Sequence, residues 1–167
     1  MDDDTKGMDE ALAMARNALD SGELPVGAVV ALNGVVLSKA HTREQEESRF
    51  LVHAELDALL EFDRLRPTTN DRRRSVLFTT VEPCLMCLGA AMSAFVGRVV
   101  YSLASESDGA TELVSRWKST GTGFIGYQMP IATGGLKVAE TRALFNTYLD
   151  RVPDGPMRRW AESVIRV

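Results

Sequence analysis

The stretch Val26-Gly27-Ala28-Val29-Val30-Ala31-Leu32-Asn33-Gly34-Val35-Val36-Leu37-Ser38-Lys39-Ala40 sets the architecture. Two runs of β-branched and small apolar residues flank Asn33-Gly34, a pair in which both residues accept positive φ, as a two-residue hairpin turn demands. The reading is a hairpin of strands Val26–Leu32 and Val35–Ala40. On its N-terminal side Met8, Ala11, Leu12, Ala15 and Leu19 recur at helical spacing, and Ser21-Gly22 stops that helix. The acidic start, Met1-Asp2-Asp3-Asp4, reads as a frayed tail, with residues 1–6 expected to be disordered. On the C-terminal side come a polar loop from Thr42 to Arg49 and a helix from His53 to about Phe62, apolar at Leu56, Leu59 and Leu60. The segment Arg64 to Arg74 holds five arginines and reads as a solvated connector. Ser75–Thr80 is a short buried strand, Cys84 to about Phe95 a buried helix opened by Pro83, and Arg98–Leu103 another strand. Residues 109–135 are rich in Gly, Ser and Thr, and beyond a short helix near Thr111–Lys118 they read as loop. Leu136–Ala139 is the expected last strand, followed by helices Thr141–Leu149 and Pro156–Ile165. This order predicts a three-layer α/β domain around one central sheet, a single domain over residues 1–167.

The bulk numbers fit that picture and exclude others. With 45% hydrophobic and 25% charged residues, disorder over the whole length is ruled out. The net charge is −4 and the isoelectric point about 5.2, so the overall field does not draw a polyanion or an acidic membrane. No apolar run approaches the 18 residues of a transmembrane helix. An acidic N-terminus is the opposite of a secretion signal, so a cytoplasmic location is expected. Two cysteines three positions apart cannot staple a secreted fold; in a cytosolic chain they point to metal or redox chemistry.

Their context decides between those two. His53-Ala54-Glu55 precedes Pro83-Cys84-Leu85-Met86-Cys87. On a helix Cys84 and Cys87 face one side, the reach needed to hold one tetrahedral Zn²⁺, and His53 supplies a third ligand. Three protein ligands leave a position for water, which is the coordination of a catalytic zinc. Bound zinc lowers the pKa of water to about 7. Glu55 stands two residues from the histidine, so the pair makes sense only in a helix's first turn, where the longer carboxylate reaches that water without ligating the ion. As catalytic residue it would take the proton as general base and return it as general acid. A Cys-x-x-Cys alone serves structural zinc or redox pairs more often, and a structural Cys₂His₂ site has only His41 left to call on. Both motifs in this order arise by chance at a rate of only ~10⁻⁴. His-x-Glu followed by Pro-Cys-x-x-Cys is the known signature of zinc deaminases.

On these residues the chain resembles the cytidine deaminase superfamily, in particular its nucleobase and tRNA adenosine deaminase branch. The resemblance runs from about Met8 to Leu103 and takes in Gly22-Glu23-Leu24-Pro25-Val26-Gly27-Ala28-Val29-Val30, the two motifs above, Leu88-Gly89-Ala90 and Arg98-Val99-Val100-Tyr101. It implies an α/β/α fold with a five-stranded mixed sheet. It also implies zinc on His53, Cys84 and Cys87, Glu55 as proton shuttle, the Ala54 N–H as a hydrogen-bond donor to the ring, and a homodimer or higher oligomer. Two departures bear on substrate. The family's Gly-His-Asn is Ala40-His41-Thr42 here, so a hydroxyl stands where a carboxamide grips the base. The usual Asp-Pro-Thr before the His-Ala-Glu is absent, and the chain reads Arg49-Phe50-Leu51-Val52.

The expected activity is hydrolytic deamination of a free nucleobase or related amino-substituted heterocycle, with ammonia as product. Two alternatives stand beside it: a tRNA-specific adenosine deaminase, and a deaminase-like domain that binds without turnover. A tRNA enzyme needs a basic surface, for which Arg72, Arg73, Arg74, Arg158 and Arg159 are the candidates. The plainer reading sets those arginines against Asp63, Asp71, Asp150 and Asp154 as solvated pairs. For a small substrate, the resemblance to cytosine- and guanine-type enzymes makes Trp160 a pocket-closing aromatic; core packing of the last helix explains it equally well. Asp108 is either an acceptor for a ring amine or an exposed turn aspartate. Trp117, Phe124 and Tyr127 either face the substrate or anchor a glycine-rich segment.

Overall fold

The structure, a computed structural model, describes residues 2–117 and 127–166. Strand β1 (Gly27–Leu32) alternates between two environments, as a strand covered on both faces must. Ala28 and Val30 lie in a core with Leu77, Val99 and Phe62, while Val29 and Ala31 pack with Met8, Leu12 and Phe78. The turn to β2 (Val35–His41) has Asn33 at φ 52° and Gly34 at φ 75°, the geometry that the Asn-Gly pair predicts. The five-stranded sheet has the order β2-β1-β3-β4-β5, with β3 (Ser75–Val81), β4 (Arg98–Leu103) and β5 (Ile131–Thr133). β1 pairs antiparallel with β2 and β3, whereas β3–β4 and β4–β5 are parallel, so the sheet is mixed.

One face carries α3 (Ala54–Arg64) and α5 (Leu85–Ser93), with α6 (Thr111–Ser115) beside α5. The other carries α1 (Asp3–Asp20) and α7 (Val138–Arg151), and α8 (Pro156–Ile165) packs on α7. Gly27 is where α1 comes closest to the sheet: a Cβ there would lie 2.3 Å from the backbone O of Ala11 and N of Ala15, so only glycine fits.

Four expectations need correction. Residues 2–6 are not a disordered tail. Asp2 caps α1 by accepting the Thr5 N–H at 2.8 Å, and Asp4 pairs with Arg98 at 2.6 Å. The acidic run that reads as solvated tail is instead charge placed at a helix N-terminus, where it complements the unpaired amides. The polar loop after β2 contains a turn of helix, α2 (Glu44–Glu47), closed by Ser48 in the left-handed region at φ 52°. The arginine-rich connector contains α4 (Thr69–Arg74), capped by the Thr68 hydroxyl, which accepts the Asp71 N–H at 3.1 Å. The last strand is Ile131–Thr133 and not Leu136–Ala139, where Val138 and Ala139 already belong to α7. An exposed edge strand of three residues leaves no hydrophobic alternation to read. The predicted helix near Thr111–Lys118 is observed to Ser115; Lys118 lies outside the described residues. Among the described residues no helix is long and apolar enough to cross a membrane.

Candidate active site

Two helix starts meet at one point. His53 is the N-cap of α3 and Cys84 the N-cap of α5, both with extended backbone, and Cys87 sits in the first turn of α5. An N-cap residue stands off the helix cylinder, so its side chain reaches across the helix mouth toward whatever the free amides face. Glu55 is the second residue of α3, the first-turn position that the spacing required. The segment before His53 is cinched at its neck: the Thr42 hydroxyl and the Arg43 N–H both donate to the Val52 carbonyl, at 3.1 and 3.3 Å. The turn before Cys84 is braced by Glu82, whose carboxylate accepts the N–H groups of Ser105 and Thr111, each at 3.0 Å. Cys84 also forms an isolated antiparallel bridge with Gly109.

The His53 Nδ1 lies 3.8 Å from the Cys84 Sγ and 3.6 Å from the Cys87 Sγ, and the three ligand atoms lie within 4.8 Å of one another. A tetrahedral zinc with ordinary Zn–S and Zn–N bonds spaces its nitrogen and sulfur ligands about 3.6 Å apart, so the donor set fits the ion in kind and in spacing. His53, Cys84 and Cys87 are positioned to bind one Zn²⁺, and they form the metal-binding cluster found among the described residues. The hydrogen bond from Cys87, followed by that from His53, depresses the Cys84 thiol to about 4, so it is poised as thiolate. Its partners move the other way: His53 rises to about 9, chiefly through the Cys84 sulfur, and the Cys84 hydrogen bond and burial push the Cys87 thiol up.

Glu55 is 4% exposed. Its Oε1 accepts the Thr79 hydroxyl at 3.2 Å, and its Oε2 lies 3.8 Å from the Cys87 Sγ, beside the ligand cluster without belonging to it. Burial pushes its carboxyl above the usual range, the direction that favours proton exchange near neutrality.

These groups floor a cavity of about 230 Å³. Of the residues singled out in the sequence, His53, Ala54, Glu55, Cys84, Thr42, Asp108 and Trp160 line it, and Cys87 is buried beside its ligand partners. Their roles are constrained by their partners. The Thr42 hydroxyl gives its proton to the Val52 carbonyl, so it stabilises the approach to His53 and has only lone pairs to offer a ligand. Ala54 opens α3, so its N–H has no intrahelical acceptor. Asp108 accepts the hydroxyls of Ser105 (2.5 Å) and Ser107 (3.0 Å) and the Trp160 indole N–H (3.1 Å). Trp160 lines the cavity and also packs against Phe145, with ring centroids 6.1 Å apart.

Glu44 and Met157 also line the cavity, and sequence reasoning missed both. Glu44 sits in a run of four acidic and amide residues that reads as solvated, and only the fold turns it inward. Trp117 and Tyr127 do not border the cavity; Tyr127 stacks on Phe95 at 5.5 Å, which bears out the anchoring reading for it. Phe124 lies outside the described residues. The arginines are held in pairs: Arg72 with Asp63 at 2.7 Å and over the Phe62 ring, Arg74 with Asp71 at 2.6 Å, and Arg159 with Asp154 at 3.5 Å. Arg158 donates to the carbonyls of Leu149 and Val152 and pairs with Glu162, not with Asp150. Arg72 to Arg74 precede β3, whereas the metal cluster follows its far end, about 20 Å away along the strand.

A mixed sheet with metal ligands on two facing helix starts, and a carboxylate beside them, defines a zinc hydrolase site of the deaminase type. The chain belongs to the cytidine and deoxycytidylate deaminase zinc-binding family, whose sequence model matches residues 1–103. It is 31% identical over 118 residues to a tRNA-specific adenosine deaminase of Streptococcus pyogenes serotype M18, covering 67% of this chain and 70% of that one. It is 35% identical over 163 residues to a tRNA(Ile)-lysidine synthase of Deinococcus radiodurans. That match covers 93% of this chain but 27% of the synthase, so the chain spans about a quarter of that relative's length. Among solved structures, one from a study of A-to-I editing by tRNA:A34 deaminases superposes with a TM-score of 0.68 and 27% identity, covering 83% of this chain and 97% of that one.

Proposed function

We propose that this chain hydrolyses the exocyclic amine of an adenine ring presented on tRNA, with Glu55 as its catalytic acid–base. The observation that carries the reading is the complete His53, Glu55, Cys84 and Cys87 set in a chain 31% identical to a tRNA-specific adenosine deaminase over two thirds of its length. Zinc, when bound, supplies Lewis acidity that makes a proton of water available near pH 7. Glu55 accepts one proton from water as the water oxygen bonds to the reacting carbon, and delivers it to the adjacent ring nitrogen. It then takes the second proton from the new hydroxyl and delivers it to the amine, so the C–N bond breaks, ammonia leaves and the C–O bond becomes a carbonyl. Ala54 lines the cavity, and its N–H, with no intrahelical acceptor at the start of α3, serves as donor for a ring acceptor. Thr79 holds Glu55 in place through its hydroxyl. A homodimer belongs to the same reading: the exposed side chains of Phe50, Leu51 and Leu85 adjoin the metal ligands in sequence and offer a second copy an apolar edge.

A second reading, deamination of a free base or related heterocycle, is favoured by the roof. Met157 and Trp160 line the cavity, and Arg72 and Arg74 are ion-paired and remote from it, with Arg73 between them bonded to Gln128. The two readings separate in one experiment on the zinc-loaded protein, with ammonia and inosine followed for tRNA, adenosine, adenine, guanine and cytosine. Inosine formation in tRNA that weakens steeply with salt is the result expected. Turnover of free bases alone would replace the first reading by the second. Zinc binding with no turnover of any substrate would favour a binding domain.

A further inference from the structure

We propose that Glu44 is a positioning residue for the metal centre: its carboxylate accepts a hydrogen bond from the Nε2–H of His53 and so fixes the ring with Nδ1 on the two sulfurs. The inference does not depend on which amine is the substrate. Imidazole has two nitrogens on opposite edges, and a histidine that ligates through one is usually held through the other by an oxygen acceptor. Here Nδ1 faces Cys84 and Cys87 at 3.8 and 3.6 Å, and Nε2 faces the Glu44 Oε1 at 3.5 Å. Without such a partner the ring can turn about its bonds and offer either nitrogen.

The surroundings show why this carboxylate is available for the task. Glu44 makes no other ion pair or side-chain hydrogen bond among the described residues, although it is only 27% exposed. The helical turn that carries it is secured from several sides. The buried Glu23 carboxylate accepts the Glu46 N–H at 2.7 Å, and Gln45 donates to the Gly22 carbonyl at 3.4 Å. Arg43 bridges Glu47 at 2.9 Å and Asp57 of α3 at 3.0 Å. A four-residue helix in an otherwise irregular segment is thereby held against the start of α3, and Glu44 is its inward-facing acid.

The test is zinc affinity, measured by competition with a chromophoric chelator on the full chain with no substrate present. Glu44→Ala is expected to weaken binding roughly 10- to 100-fold. Glu44→Gln keeps an acceptor oxygen at the same reach and is expected to recover most of that loss. Glu47→Ala removes the bridges to Arg43 and Arg49 in the same turn but touches no metal ligand, and is expected to bind zinc as the parent does. Cobalt-substituted Glu44→Ala should keep its thiolate charge-transfer bands while its d–d bands shift. Parent-like zinc affinity in Glu44→Ala would overturn the proposal. So would an equal loss in Glu47→Ala, which would make the effect one of loop stability. Because affinity is read without turnover, failure here is distinguishable from a wrong choice of substrate.

Discussion

The floor and the roof of the cavity are built in opposite ways. The floor is local: His53 and Glu55 lie two residues apart, Cys84 and Cys87 three, and each pair is aimed by the first turn of one helix. The roof is assembled from distant pieces, Asp108 in the turn after β4 and Met157 and Trp160 on α8, joined by a single indole hydrogen bond of 3.1 Å. The metal ligands and Glu55 are mounted on helix starts, whereas the rest of the cavity wall is brought in from elements far apart in the chain. Function should therefore fall steeply when the floor is changed and by smaller steps when the roof is.

The largest loss is expected from Glu55→Ala, which removes the carboxylate proposed as proton shuttle and should lower kcat by about 10²–10⁴-fold. Zinc content by mass spectrometry should stay near one per chain; retained turnover would break the distinction at its strongest point. Cys87→Ala comes next. It should abolish stoichiometric zinc and lower Tm by several degrees, at about 2–4 °C per kcal/mol for a chain of this size. A full zinc complement in that variant would contradict the ligand assignment. On the roof, Trp160→Ala uncovers the cavity and loses about 2 kcal/mol of ring burial, a decrease of roughly 10- to 100-fold in kcat/KM. Trp160→Phe keeps the ring contact and loses the bond to Asp108, so at most about a tenfold change is expected. Equal losses in the two Trp160 variants would place the value of the roof in the hydrogen bond and not in the ring. The smallest effect should come from Thr42→Val, which deletes one strand of the cinch on Val52, costs about 1 kcal/mol in a thermal melt, and leaves zinc bound.

The same contrast explains what could be read from the sequence. The hairpin at Asn33-Gly34, the helices carrying the ligands and the His53, Glu55, Cys84, Cys87 set are encoded by neighbours, so spacing alone reveals them. Glu44 was missed because its direction depends on Glu23, Gly22 and Asp57, all more than ten residues away. Thr42 could be named as a pocket residue, but not as the donor that closes the chain onto Val52. The acidic N-terminus misled because capping and solvation call for the same residues, and only the contact between Asp4 and Arg98 separates the two. Trp160 could be placed near the pocket or in the core, and the structure shows one ring doing both.

The double hydrogen bond to the Val52 carbonyl has a consequence for how this chain can change over generations. It ties the two ends of the 44–51 segment together independently of what lies between them. Chain entropy charges only about 0.6 kcal/mol for each doubling of a closed loop. Extra residues at the exposed bend of Ser48 and Arg49 should therefore be absorbed without displacing His53. The rim of the catalytic cavity is in that sense a place where new recognition elements can be grafted while the metal centre beneath stays in register.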